Sequence, residues 1–408
     1  MTRSPRKSPV DLALLVYDLR ASGVVRNLIA LAGMAARRGL QVEIWVIRNR
    51  GHMAGSVPDG VSVVEVPNQT IFVPGRTLDL VASVLPLSSF IRTRQPGVLF
   101  SAGNQIHMTA SLAFALAGRP PGTRFAGRAS ISVLGARTGV DDSQPSLLTR
   151  LLRSVDRLQY RGMHCVVSVS EELHGQLERQ LLIEPERLLV IPNGVDTKTI
   201  NRTRDIAPPH PWLASGQPPV VLGVGRLVRQ KNFPLLLKAF ARARTRRPLR
   251  LIILGHGTLQ ARRSLAALAD SLGIAADVAL CGFQPNPEHW MRHAATLAVS
   301  SRREGSSNVV LEALACGCPV TAVACPTGIV EVLGSRYGTV VKDDNAESLA
   351  AGILATLANP PAPAELMSRA RQYDRRMMLE RYAGVFEALV RGEDVGKIVV
   401  ADTAPLAA

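Results

Sequence analysis

Residues Val220 to Phe240 read VVLGVGRLVRQKNFPLLLKAF, and this stretch decides the fold. VVLGV is a short apolar run ending in a G-x-G, the signature of a buried strand. A basic loop, Arg226-Leu-Val-Arg-Gln-Lys231-Asn232, follows. NFPLLLKAFARAR then takes up helical spacing, with Pro234 in the first turn, where its missing N–H is harmless. Strand, loop and helix in direct succession make half of a parallel β/α unit. The dinucleotide fingerprint fails, because no third glycine follows. What remains is glycine at a strand end and cations at a helix mouth. Backbone N–H groups, helix dipole and side-chain charge there favour one ligand, an anion such as a diphosphate. Arg226 can grip two phosphate oxygens as a fork and Lys231 adds a mobile point charge; the plain alternative is a solvated loop.

The same alternation extends in both directions. DLALLVYDL, VEIWVI, VSVVEV, GVLFSA and HCVVSVS read as strands before it. VVRNLIALAGMAARRG is a helix closing on Gly39, and Ser170 is placed to cap a helix beginning EELHGQL. After it, RLIILGHG, VALCGF, TLAVSS, PVTAVAC and GTVV are strands. LMSRARQYDRRMMLERYAGVFEALVRG is one long or broken helix. NRTRDIAPPHPWLASGQPP, with five prolines, is the linker candidate. The expected organisation is therefore 1–200, a linker 201–219, a second α/β domain 220–372, a helix 373–392 and a tail 393–408.

Composition fits two cores: 408 residues, 47% hydrophobic and 4% aromatic. The net charge is +16, and residues 1–150 hold 17 Lys and Arg against 8 Asp and Glu. Such a field favours anionic partners, either phosphorylated substrates or an acidic membrane surface. No RNA- or DNA-reading motif accompanies it, so nucleic acid is not expected. The five cysteines sit among apolar neighbours without a second paired motif, which reads as buried thiols rather than a zinc knuckle. MTRSPRKSPVDLALLVYDLR imitates a signal-peptide head, but Asp11, Asp18 and Arg20 interrupt it. No run of eighteen apolar residues occurs, so membrane contact is expected to be peripheral.

The second chemical cluster is REGSSNVVLEALACGCPV, Arg303 to Val320. Glu304 falls just past the strand TLAVSS, Gly305 to Ser307 form a turn, and a helix opens near Asn308. Neither glutamate stands three residues after a capping Ser or Thr, so a capping box does not explain them. Glu312 lies in a helix otherwise made of Val, Leu and Ala. A carboxylate buried there needs donors, which adjacent sugar hydroxyls or a neighbouring arginine can supply. VIPNGVD (190–196) forces a tight turn before the linker, and Ser22-Gly23 opens the first long helix. All four clusters stand at carboxyl ends of strands, the ligand edge of open α/β sheets.

Taken together, GVGRLVRQKN, VIPNGVD, LIILGHG and EGSSNVVLEALACGCPV resemble the retaining glycosyltransferases of family 4. The resemblance is strongest over about 160–345 and collinear over about 10–130. It implies the GT-B fold: two Rossmann-like domains facing across a cleft, with the terminal helix crossing back to the first. It further implies that Arg226 and Lys231 neutralise a donor diphosphate without a metal, in keeping with the lack of a D-x-D motif. Glu312 would bind ribose hydroxyls and Glu304 sugar hydroxyls. Ser307, Asn308 and Val309 would meet sugar and phosphate, and Gly23 would be the first domain's glycine loop. Gly225 and Phe283 would border the nucleotide, and His107 is the nearest match to the histidine beside the acceptor. The chain departs from the family at Ser22-Gly23-Val24-Val25-Arg26, where two glycines and Glu-Arg are common. It also departs at His256, in place of an acidic residue, and at Ser306, in place of an aromatic, which implies a more polar sugar pocket.

The implied activity is transfer of a sugar from a nucleotide-diphosphate sugar to a hydroxyl of a glycan or glycolipid, with no cofactor. Lipid-linked or surface polysaccharide synthesis at the cytoplasmic face of the cell membrane would suit the basic first domain. The rival readings are a sugar-nucleotide epimerase or phosphorylase on the same fold, and a non-catalytic nucleotide-sugar-binding module.

Overall fold

The computed structural model describes residues 10–20, 22–67, 75–130, 147–202, 206–304, 308–325 and 328–393, with side chains of 147–152 left aside. The chain forms two units, one running to Pro192 and resuming at Met377, the other spanning Asn193–Arg376.

The first unit is a parallel sheet. Its strands among the described residues are β1 (Leu12–Val16), β2 (Val42–Val46), β3 (Val61–Glu65), β4 (Val98–Ser101), β5 (Arg124–Ala129), β6 (Cys165–Ser168) and β7 (Leu188–Val190). They lie in the order β3-β2-β1-β4-β5-β6-β7. Both faces of the sheet are covered, so β1 reads LALLV, wholly apolar rather than alternating. Its side chains still divide with period two. Leu12, Leu14 and Val16 join one core with Tyr382 and Phe386, while Ala13 and Leu15 join the other with Phe114 and Tyr160. Helix Arg375–Arg391 thus places Met378, Tyr382, Phe386 and Leu389 in the first unit. Phe386 stands edge-on to Phe100 at 5.1 Å and is 0% exposed. Phe386→Ala is therefore expected to cost about 3–5 kcal/mol, read as a lower urea midpoint at unchanged slope.

The second unit has β8 (Val220–Val224), β9 (Arg250–Leu254), β10 (Val278–Gly282), β11 (Thr296–Val299), β12 (Val320–Val323) and β13 (Thr339–Val341). Their order is β10-β9-β8-β11-β12-β13, all parallel. Val220 and Leu222 face the helix Asn308–Ala315, and Val221 faces Leu236, Phe240 and Ile353 on the opposite side. The order reverses between β8 and β11, which places a switch-point crevice beside the loops that follow them.

One boundary differs from the sequence expectation. Within the proline-rich stretch the described residues 206–219 are mostly exposed, but Leu213 is 6% exposed in the second unit's core, beside Ile200 and Trp212. That anchor ties the stretch to the second unit, and the division falls earlier, at Pro192. The long terminal run takes the broken form that the sequence allowed, as Pro363–Arg371 and Arg375–Arg391. There Val195 pairs in a parallel bridge with Asp374. Val195 N donates to the Tyr373 carbonyl and Arg375 N to the Val195 carbonyl, each at 2.9 Å. Gly194 is required beside that bridge, because a Cβ there would fall 2.4 Å from the Arg375 Cα.

Candidate active site

The loops after β8 and β11 are laced into one surface at the switch point of the second sheet. Gln230 Nε2 donates to the Arg303 carbonyl at 2.9 Å, and Arg302 N to the Gln230 carbonyl at 2.9 Å. Ser300 Oγ donates to the Lys231 carbonyl, also at 2.9 Å. Within this frame Lys231 Nζ meets Glu304 Oε1 at 2.5 Å, and Ser301 Oγ donates to the same oxygen at 2.6 Å. The Glu304 side chain is 9% exposed and that of Lys231 19%, so the pair is largely withdrawn from water. Among the described residues the second oxygen, Oε2, receives no donor. The sequence foresaw both residues but assigned them to different parts of a ligand; the structure joins them.

Glycine sets this geometry. Gly225, at φ +153°, is crossed by the Lys231 stem, and a Cβ there would fall 2.9 Å from Lys231 Cε. Gly255, at φ +151°, is closer still, since its Cβ would lie 1.7 Å from the Gly225 carbonyl oxygen. Gly225 N donates to the Leu254 carbonyl, Leu227 N to that of His256, and Gly255 N to that of Gly282. The carboxyl ends of β8, β9 and β10 are thereby held together. His256 stands edge-on to Phe283 at 6.1 Å, and Phe283 is 59% exposed, an aromatic face at the sheet edge. Arg226 is exposed, with no side-chain partner among the described residues.

On the other side of the crevice Asn308 opens the helix Asn308–Ala315, and Asn193 Nδ2 donates to its Oδ1 at 2.5 Å. The VIPNGVD turn therefore braces the site helix, a contact that local turn chemistry does not reveal. Val309 and Glu312 are half-buried. Glu312 is thus half-buried, where the sequence suggested a largely buried position. Ser307 lies outside the described residues. The cysteines are free thiols, four of them buried; burial pushes Cys316 up to about 12.

Two expected residues belong to the first unit. Gly23 is exposed in the first turn of helix Gly23–Arg37, whose cap Ser22 Oγ accepts from Val25 N at 3.2 Å. His107 is corrected by its surroundings. It is 0% exposed, with Nδ1 2.6 Å from Ser101 Oγ and Nε2 3.1 Å from the Arg128 carbonyl oxygen. Nε2 therefore carries the proton, Nδ1 accepts, and neither nitrogen is left to meet an acceptor. Burial pushes its pKa down to about 4. Between the ordinary value, 6.5, and 4 the unfolded chain binds the extra proton, so stability is full above pH 6.5 and falls as pH drops towards 4. The expected loss at pH 4 is up to about 3 kcal/mol. Urea unfolding of wild type and His107→Gln at pH 7 and pH 5 checks this, the variant having the flatter dependence.

Comparison with known proteins agrees with this architecture. The family model described as Glycosyltransferase Family 4 matches residues 21–199, and that described as Glycosyl transferases group 1 matches 209–376. The chain is 34% identical over 211 residues to the N-acetylgalactosamine-N,N'-diacetylbacillosaminyl-diphospho-undecaprenol 4-alpha-N-acetylgalactosaminyltransferase of Campylobacter jejuni, covering 51% of this chain and 54% of that one. It is 32% identical over 246 residues to the D-inositol 3-phosphate glycosyltransferase of Mycobacterium avium, covering 56% and 54%. The chain thus spans about half the length of these curated relatives. Among solved structures, Anabaena HepE in complex with UDP and glucose superposes with TM-score 0.71 at 18% identity, covering 93% of this chain and all of that one. That likeness shows the fold, GT-B.

Proposed function

Since the chain belongs to the family 4 glycosyltransferases, we propose that it moves a sugar from a nucleotide-diphosphate sugar to a hydroxyl acceptor, with its second unit holding the donor. The observation that carries this is the Lys231–Glu304–Ser301 cluster at the switch point. One oxygen of Glu304 is taken by Lys231 and Ser301, which fixes the carboxylate and leaves Oε2 to accept from sugar hydroxyls. Arg226 and Lys231 supply two positive charges to the diphosphate as it departs, so charge developing in the transition state meets donors already in place. Glu312 stands one helical turn beyond Asn308, within reach of ribose hydroxyls if phosphate meets the helix mouth. Phe283 offers an apolar face to the base. No covalent nucleophile is needed if acceptor and leaving group share one face of the sugar, which gives retention of configuration. The two cations take the part that a metal plays elsewhere.

The acceptor is proposed to be carried on a lipid, on the strength of the basic first half of the chain. Among the described residues no helix is long and apolar enough to cross a membrane. The test is incubation with UDP-, GDP- and ADP-sugars and a hydroxyl acceptor, with and without a chelator. Nucleoside diphosphate release and the anomeric proton of the product are followed by NMR. Release of diphosphate with an inverted product would overturn retention, loss of activity in chelator would overturn metal independence, and an epimerised donor would favour the rival enzyme.

A further inference from the structure

The first unit carries a pocket of about 560 Å³ that the donor chemistry does not use. It lies at the amino-terminal ends of β5 and β6, the edge opposite Ser22 and Gly103. Arg119, Arg124, Arg161 and Arg187 line it, with Glu393 as the single carboxylate among the described residues. That carboxylate is already held by Arg391, at 2.6 and 3.2 Å. Two of the arginines are anchored at the wall. Arg124 Nη2 donates to the Gly392 carbonyl at 3.3 Å, and Arg187 Nη2 to that of Tyr160 at 3.0 Å. Arg119 and Arg161 have no side-chain partner among the described residues.

Thr123, also in the wall, is 2% exposed, and its Oγ1 has no hydrogen-bond partner among the described residues. A buried hydroxyl is ordinarily satisfied, so an orphan in a cationic wall marks a place where a ligand oxygen completes the bonding. His164, beside it, registers the same field. Its pKa is lowered first by burial and then by Arg124, with Arg187 and Arg119 acting in the same sense. The two helices that lead to Arg119 and Arg161 also carry exposed apolar side chains. Leu112 and Leu116 are 43% and 55% exposed one turn apart, and Leu158 is 53% exposed one turn before Arg161. Ser111 Oγ donates to the Leu158 carbonyl at 3.2 Å, which pins these two helices side by side.

We propose that this pocket binds a phosphate ester, its oxygens forked by Arg119 and Arg161 and met by the Thr123 hydroxyl. A phospholipid head group and a soluble phosphorylated molecule share that chemistry; the exposed leucines on the two adjoining helices favour the lipid, whose apolar part they suit. The pocket stands whether or not the second unit transfers sugars.

The full-length protein is sedimented with phosphatidylcholine vesicles with and without phosphatidylglycerol, and titrated calorimetrically with sn-glycerol 3-phosphate. Arg119→Gln/Arg161→Gln is expected to lower partition onto phosphatidylglycerol vesicles about thirtyfold. Thr123→Val is expected to weaken glycerol 3-phosphate binding by about tenfold. The charge-matched pair Arg246→Gln/Arg247→Gln, on the second unit, leaves both unchanged, and circular dichroism checks that each variant is folded. Binding of glycerol 3-phosphate that depends on Arg119 and Arg161, without vesicle binding, supports the pocket and assigns it a soluble ligand. Binding of neither probe, or equal weakening by the control pair, overturns the proposal.

Discussion

Glu304→Ala is expected to cost stability and activity together, and Lys231→Ala/Glu304→Ala to restore only the first. Removing one partner of a withdrawn ion pair strands the other: without its carboxylate, Lys231 is a cation only 19% exposed. The single variant should lose about 3 kcal/mol of stability. The double variant leaves no charge stranded, so most of that loss returns. Sugar transfer should behave differently. With the roles proposed for them, the single variant would lack the carboxylate at the sugar and the double variant also a cation at the diphosphate, and each is expected to fall by about 100- to 1000-fold in kcat. Urea unfolding and initial rates on the same three proteins check it. A purely structural pair would instead return activity along with stability.

Gly255→Ala is expected to dismantle the same site from behind. Its Cβ would lie 1.7 Å from the Gly225 carbonyl oxygen, and the backbone at φ +151° suits glycine alone. The neighbour is backbone, held by Gly225 N to the Leu254 carbonyl at 2.9 Å, so it cannot give way cheaply. A loss of about 3 kcal/mol or more follows from strain and overpacking together. Because Gly225 carries the Lys231 stem, donor binding should fall with stability. Gly384, in the helix Arg375–Arg391 with nothing within 4 Å of its built Cβ, gives the contrast. Gly384→Ala should stabilise by about 0.5–1 kcal/mol, measured by the same unfolding series.

The strands that sequence reading finds are those with a continuous apolar run, such as LALLV and RLIIL. It misses β5, RFAGRA, because a small and charged composition gives no period although four of its residues pair with β6. The helices Arg76–Ala82, Val84–Arg94 and Ala346–Ala358 also escape, the first two because Leu78, Val81 and Leu85 face outward and blur the amphipathic stripe. At the site, residue types at strand ends point to Arg226, Lys231 and Glu304. They do not reveal that Ser301 holds Glu304, that Gln230 ties the Lys231 loop to Arg303, or that Asn193 braces Asn308, since these contacts join segments 73 and 115 residues apart or turn on a single serine rotamer. His107 misleads for the opposite reason. It stands in the first turn of the helix Asn104–Leu116, as its neighbours in sequence suggest, but a Ser101 hydroxyl and an Arg128 carbonyl from two strands enclose it, which no local pattern shows.

The central claim is that the β8–β11 crevice of the second unit holds a nucleotide diphosphate between Arg226, Lys231 and the Asn308 helix. Isothermal titration of the wild-type protein with UDP-, GDP- and ADP-sugars, repeated on Arg226→Ala/Lys231→Ala, tests it most directly. The expected result is saturable one-to-one binding of one of these donors, weakened by about 100-fold or more in the variant. Absence of binding to every donor, or equal affinity in the variant, would contradict it.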